Sequence, residues 1–181
     1  MRIISGKNKG RKIVAPANLP VRPTTDMAKE SLFNILNNLI DFEGLDVLDL
    51  FAGTGNISYE FASRGCNSIT SVDSNNNCAR FINETAEKLD FKNLKVIRSD
   101  AKMFLNNAYG KWDVIFADPP YDMQDTGFIP TITNNRKLLN PNGLLIIEHN
   151  EAKDFSKHSG FFDHRKYGKV NFSFFQDIAN K

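Results

Sequence analysis

Asp46-Val47-Leu48-Asp49-Leu50-Phe51-Ala52-Gly53-Thr54-Gly55-Asn56 is the stretch that decides the fold. It begins as an apolar run with β-branched character, turns on two glycines and continues into Ile57-Ser58-Tyr59-Glu60-Phe61-Ala62. That order reads as a buried strand, a tight turn and the start of a helix. Gly53 and Gly55 leave no Cβ in the turn, so backbone can approach a ligand there. Asp49 stands near the strand end as an acceptor. A nicotinamide-type Gly-x-Gly-x-x-Gly would need glycine where this chain has Ser58. A phosphate-binding P-loop would need Gly-Lys-Ser/Thr, which is absent. A bare strand-to-helix turn is the plain alternative. The ligand reading is an adenosine-type cofactor whose charged part is not a pyrophosphate.

Beyond this unit the pattern alternates. Ser68 to Asp73 is a second strand with a helix over roughly 75–89, and Leu94 to Asp100 a third with a helix over 101–108. Trp112 to Asp118 is a fourth, followed by a helix around 125–138. Leu144 to Glu148 is a fifth, after a turn at Asn140-Pro141-Asn142-Gly143. Apolar strands separated by helices predict an α/β fold with a mostly parallel sheet covered on both faces. Phe162 to Tyr167 and Val170 to Phe175, around Gly168-Lys169, read instead as an antiparallel hairpin at one edge.

Ligands in open α/β sheets bind outside the carboxyl ends of the strands. Asp73 ends the second strand 24 residues after Asp49, the offset at which an acid accepts from both ribose hydroxyls of a dinucleotide. It could equally cap the next helix, and both roles are compatible. Asp100 ends the third strand, where it could accept from an adenine amino group or cap the following helix. Asp118-Pro119-Pro120-Tyr121 is the sharpest feature. Two successive prolines fix φ and remove two donors, so the segment cannot continue a ladder or begin an ordinary helix. It offers a carboxylate, free carbonyls and a phenol ring, which suit a planar amine. A purely structural Pro-Pro turn is the alternative.

The 181 residues provide for one good core, and fifteen Phe give it bulk. No run of 18 apolar residues is present, so no membrane span is expected. The start, Met1-Arg2-Ile3-Ile4-Ser5-Gly6-Lys7, lacks the apolar region of a signal peptide. Cys66 and Cys78 have no metal-ligand spacing and are expected to be reduced thiols in a cytoplasmic protein, with no metal bound. Net charge is only +2 but unevenly spread. Residues 1–30 carry seven Lys or Arg against Asp26 and Glu30, whereas residues 31–151 carry ten basic and sixteen acidic side chains. A basic arm on an acidic body is either a solvated segment or a polyanion-binding edge. Arg2 to Ser5 and Arg11 to Ala15 flank Gly6-Lys7-Asn8-Lys9-Gly10 as a hairpin with a basic tip. Pro16, Pro20 and Pro23 make an irregular connection. Thr25 or Asp26 can then cap a helix with apolar residues at 28, 32, 35, 36 and 39. The expected division is a basic 1–25 appendage and a single domain over 26–181.

Asp49-Leu50-Phe51-Ala52-Gly53-Thr54-Gly55 together with Asp118-Pro119-Pro120-Tyr121 resembles the class I methyltransferases that use S-adenosyl-L-methionine and methylate exocyclic nitrogens. The N-terminal Arg2-Ile3-Ile4-Ser5-Gly6 and Arg11, then Arg22-Pro23-Thr24-Thr25-Asp26 and Glu30-Ser31-Leu32-Phe33-Asn34, narrow this. They are similar to the bacterial 16S ribosomal RNA guanine-N2 methyltransferase family RsmD, a likeness spanning nearly the whole chain and including Glu148-His149. Met27 and Lys29 are mild departures.

The resemblance implies a Rossmann-like seven-stranded sheet and methylation of the guanine conventionally numbered 966. The implied partner is 16S rRNA in the small subunit or its assembly intermediate, and the enzyme is expected to be a monomer. By motif, the loop Phe51, Ala52, Gly53 and Gly55 with Asp49 would face the methionine part of the cofactor, Asp73 with Ser74 its ribose, and Asp100 with Ala101 its adenine. Asp118 and the Pro119 carbonyl would receive the amine protons. Tyr121, beside Pro120, would stack on a flipped base. Arg22 and Thr24 would lie at the pocket mouth, and Arg2, Lys7, Lys9, Arg11 and Lys12 near RNA phosphates. His149 is a rival for acid–base duty. The competing functions are an adenine-N6 methyltransferase acting on DNA or RNA, a nicotinamide-linked oxidoreductase, and a non-catalytic RNA-binding assembly protein.

Overall fold

The computed structural model describes residues 1–17, 19 and 26–176. In chain order the elements are α1 (Asp26–Leu36), β1 (Asp46–Leu50), α2 (Asn56–Ser63), β2 (Ser68–Asp73), α3 (Asn76–Lys88) and β3 (Leu94–Arg98). They continue with α4 (Ala101–Asn107), β4 (Trp112–Ala117), α5 (Phe128–Asn135), β5 (Leu139–His149), β6 (Phe161–Tyr167) and β7 (Val170–Gln176). The sheet has seven strands in the order β3-β2-β1-β4-β5-β7-β6. β1 to β5 pair in parallel, β7 is antiparallel to β5, and β6 is antiparallel to β7. The expected Rossmann-like architecture is present, with the C-terminal hairpin as its antiparallel edge. The strand order reverses between β1 and β4, and the crevice beyond their carboxyl ends is where such sheets bind ligands.

Alternation along the strands sends successive side chains to opposite faces. Val47, Ile69, Val114, Phe116, Leu144, Ile146, Phe172 and Phe174 pack with residues of α1, α2 and α3. Leu48, Leu50, Val72, Ile115, Ala117, Leu145 and Ile147 pack with Leu105 of α4 and Ile129 of α5. Leu32, Phe33 and Leu36 of α1 are each essentially buried, a contribution of about 1.5–3 kcal/mol apiece. Leu39 falls beyond the end of α1 and is exposed.

Two boundaries differ from expectation. α5 is shorter than the 125–138 span: it ends at Asn135 because Lys137 takes φ 52° and turns the chain out of the helix, with Leu138 N–H donating back to the Thr133 carbonyl. The turn expected at 140–143 lies inside β5, where the register against β4 shifts between Trp112 and Val114 and Asn142 takes φ 65°. The extra residues are absorbed as a bulge rather than ending the strand.

The N-terminal hairpin forms, with Arg2 opposite Lys12 and backbone hydrogen bonds from Ile3 to Arg11 and from Gly10 to Ile3. It is docked on α2 rather than projecting. Ile3 and Ile13 enter the core, and the amides of Ile4 and Ser5 donate to the two oxygens of Glu60 at 2.8 and 3.0 Å. Its tip is held at the far end of α2, where Lys7 N–H donates to the Ser63 carbonyl and Asn8 N–H to Ser63 Oγ.

Candidate active site

The glycine loop is shaped by three residues at positive φ: Phe51 at 62°, Gly53 at 56° and Gly55 at 76°. Its freedom from Cβ atoms serves packing as well as access. A Cβ on Gly55 would lie 2.6 Å from Cζ of Tyr59, a ring wholly buried against the loop. The missing side chain at 55 therefore lets α2 close on β1, a different reason from the ligand approach expected there.

Behind the loop, Asp49 is interior, 1% exposed, and accepts from Ser58 Oγ at 2.5 Å. Ser58 Oγ also meets Ser71 Oγ at 2.6 Å. Ser58 has one proton, so Ser71 donates to Ser58 and Ser58 to Asp49. This chain joins β1, α2 and β2, and explains why serine rather than glycine stands at 58. Burial pushes the Asp49 carboxyl up to about 7, against the Ser58 hydrogen bond, with the field of Asp118 adding to the rise.

Asp73, at the end of β2, accepts from Gly53 N–H at 2.7 Å through Oδ2 and from Asn75 N–H at 2.8 Å through Oδ1. It thus fixes the glycine loop and keeps one lone pair on each oxygen. Burial raises its carboxyl, opposed by those two amides. The cap of α3 is Asn75, not Asp73, since the Asn75 side chain accepts from Asn77 and Cys78. Ser74 beside it is exposed. Asp100 caps α4 by accepting from Met103 N–H at 2.9 Å, and Ala101 is buried behind it.

Asp118 follows the last residue of β4. Ala117 pairs with Ile147 on β5, so Asp118 and Glu148 come next on adjacent strands. Pro119 is buried, Pro120 exposed, and the Tyr121 ring is 58% exposed. By alternation Asp49, Asp118 and Glu148 all point to the face covered by α1, α2 and α3. Three neighbouring strands thus each bring a carboxyl to one edge. Glu148 is 3% exposed, and its Oε2 makes no hydrogen bond among the described residues. Burial, and then the field of Asp118, push it up to about 9.

His149 turns to the opposite face and is buried. Its Nδ1 lies 2.8 Å from the Asn150 carbonyl and its Nε2 2.8 Å from Ser173 Oγ. A carbonyl only accepts, so Nδ1 carries the proton and Ser173 donates to Nε2. Burial lowers the imidazole's pKa, so it stays neutral. It is spent on holding β5 to β7.

The basic residues divide. Arg2 is engaged with Asp26 and Glu30, at 3.6 and 3.2 Å. Lys29 is wholly buried: its Nζ donates to the Arg2 carbonyl at 2.6 Å and to Asn56 Oδ1 at 2.7 Å, 3.5 Å from Glu60. Two of the seven N-terminal cations are therefore used internally. Lys7, Lys9, Arg11 and Lys12 are exposed. Lys7 and Lys9 sit at the tip, about 10 Å of helix away from the glycine loop. Arg22 and Thr24 lie outside the described residues.

A family model described as conserved hypothetical protein 95 matches residues 1–176. The Bacillus subtilis protein YlbH, provisionally assigned as an rRNA methyltransferase, is 34% identical over 164 residues, covering 88% of each chain. Ribosomal RNA small subunit methyltransferase D of Buchnera aphidicola (subsp. Baizongia pistaciae) is 29% identical over 187 residues, covering 99% of this chain and 93% of its own. The chain belongs to the RsmD family of class I methyltransferases. The solved structure of yhhF from Escherichia coli, provisionally described as a methyltransferase, superposes with a TM-score of 0.85 at 26% identity, covering 99% of both chains.

For an RsmD-family member, two features of this site went unassigned in the sequence. Glu148 is a carboxyl at the end of the apolar run Leu144 to Ile147, and its signal was the rarity of an acid on a buried strand. The Lys29–Glu60–Arg64 cluster joins α1, α2 and the hairpin, and no local pattern marks it.

Proposed function

We propose that this RsmD-family enzyme transfers the methyl group of S-adenosyl-L-methionine to the exocyclic N2 of a guanine in 16S rRNA, the one conventionally numbered 966. The observation that carries the reading is Asp118-Pro119-Pro120-Tyr121 at the end of β4, across the switch point from the glycine loop on β1. S-Adenosyl-L-methionine carries a sulfonium and an ammonium, and acids at the ends of β1, β2 and β4 suit a ligand of net positive charge. Asp73, already oriented by two amides, has lone pairs left for ribose hydroxyls. Ser74 would adjoin the ribose, and Asp100 and Ala101 the adenine. Phe51, Ala52, Gly53 and Gly55, seated by Asp49 through Ser58, would line the methionine side. The cofactor supplies an already activated methyl group.

Guanine N2 is a poor nucleophile because its lone pair is delocalised into the ring. Asp118 and the Pro119 carbonyl would accept its two hydrogens, orient it and favour its developing tetrahedral character. As the N–C bond forms and the sulfonium C–S bond breaks, the excess amine proton passes to the Asp118 carboxylate. The exposed Tyr121 ring, held next to Pro120, would stack on the flipped base. The proposed substrate is the small subunit or an assembly intermediate, met by a cytoplasmic monomer whose 1–25 segment touches RNA beside the 26–181 domain. Labelled S-adenosyl-L-methionine should be offered with undermethylated small subunits, naked rRNA and DNA, followed by nucleoside analysis. N2-methylguanosine from the small subunits, with a loss of two to three decades in Asp118→Ala, is expected. N6-methyladenine, or an unimpaired Asp118→Ala, would refute the reading.

A further inference from the structure

Asp118 and Glu148 each follow the last β4–β5 pair, Ala117 with Ile147, and continuing the alternation turns both to the same face of the sheet. Glu148 is the deeper of the two, with an oxygen that no hydrogen bond satisfies among the described residues, whereas Asp118 is half-buried at the strand end. A buried carboxyl without a full set of donors is costly as an anion. Two carboxyls side by side at the ends of adjacent strands cannot both ionise without penalty. Among the described residues the charged groups that alternation puts on this face include Asp49 on β1, Asp73 on β2, Arg98 on β3, and Asp163 and Arg165 on β6, which pair with each other, while the Lys29–Glu60–Arg64 cluster lies along α1 and α2. His149, on the same strand, points to the other face. Of these, Asp118 is the group whose field acts on Glu148.

We propose that Glu148 is a positioning residue for methyl transfer: it holds a proton beside Asp118, so that the pair carries a single negative charge and Asp118 presents it to the substrate amine. The assignment rests on the amine-methylation reading above. The proton released by the amine goes to Asp118 and from there to water, and Glu148 keeps its own proton throughout. Ionising Glu148 would put two anions side by side and push Asp118 off the amine.

The test uses the full chain, with S-adenosyl-L-methionine and undermethylated small subunits in single-turnover mode, from about pH 6 to about pH 10. Glu148→Ala should slow the transfer on the order of 10–100-fold, the scale of a misplaced catalytic group, with cofactor affinity unchanged by calorimetry. Glu148→Gln, neutral at every pH and of the same shape, should restore most of the neutral-pH rate. The wild-type rate should fall above the apparent pKa near 9, and the Gln variant should lack that fall.

A second readout needs no substrate. A carboxyl raised from 4.5 to about 9 by folding makes the protein lose stability as pH rises through that window. The melting temperature of Glu148→Gln should therefore gain steadily on wild type from pH 5 to pH 9. An alkaline fall in rate shared by Glu148→Gln, a melting difference flat with pH, or a Gln variant as slow as Ala would each overturn the proposal. If Asp118→Ala is inactive and Glu148→Ala is fully active, the assignment of Glu148 fails alone. If Asp118→Ala is also unimpaired, the methylation reading falls with it.

Discussion

Glu60→Gln should destabilise the protein more than Lys29→Met, although the two residues are partners. Glu60 is wholly buried and accepts from the amides of Ile4 and Ser5, from Arg64 Nε at 3.0 Å and from the field of Lys29 Nζ at 3.5 Å. Removing its charge leaves two buried or half-buried cations facing a neutral amide, and uncompensating a buried pair costs about 3–5 kcal/mol. Lys29→Met instead removes a cation whose pKa is lowered first of all by its burial, Glu60 only partly offsetting this. Glu60 then keeps Arg64 and both amides. The losses are the hydrogen bonds to the Arg2 carbonyl and Asn56 Oδ1, about 1–3 kcal/mol in all. Urea unfolding of both variants and the double mutant measures the difference, and hydrogen exchange at Ile4 and Ser5 reports whether the hairpin lifts off α2. There is also a pH signature. A lysine with a depressed folded pKa binds fewer protons folded than unfolded, so wild type should gain on Lys29→Met as pH climbs toward 10.5. Equal or reversed costs, or no gain with pH, would refute the assignment of Glu60 as the hub.

Gly55→Ala, forced to keep φ 76° with a Cβ against the buried Tyr59 ring, should cost about 2–4 kcal/mol in a thermal or urea melt; a cost under about 1 kcal/mol would mean the ring moves aside. Asp73→Ala should weaken S-adenosyl-L-methionine binding by about 1–3 kcal/mol in calorimetry and loosen the Gly53 loop, since both Gly53 and Asn75 amides lose their acceptor. Unchanged affinity in a folded variant would remove Asp73 from the site. Neutralising Lys7, Lys9, Arg11 and Lys12 together should flatten log affinity for RNA against log salt by up to about 0.9 per lost duplex phosphate contact. An unchanged slope would move the footprint, with Arg165, Lys166 and Lys169 of the C-terminal hairpin next to test.

Most of the sheet could be read from the sequence because each parallel strand is a short apolar run closed by an acid or a turn, and that pattern is local. β5 was harder. Asn140-Pro141-Asn142-Gly143 has every mark of a turn, yet the strand starts before it, because Leu139 can pair with Trp112 once a bulge takes up the surplus. Asp100 could be read two ways, and its capping of α4 leaves the adenine role open, since a carboxylate with one accepted amide has acceptors to spare. What local pattern cannot carry is the sign and destination of a charge. Lys29 looks from sequence like one more cation on a basic arm, and becomes an interior group only because Glu60, 31 residues on, is folded beside it. The N-terminal excess of positive charge is accordingly in part cement, with Lys7, Lys9, Arg11 and Lys12 left at the surface. Glu148 follows the same logic with the opposite outcome. A lysine given a partner serves as a tether, whereas a carboxyl buried beside another carboxyl is held under electrostatic penalty. Glutamine would fill the same space without ever ionising, so what an acid adds at that position is a proton that can leave at alkaline pH, and the difference in pH profile between wild type and Glu148→Gln measures it.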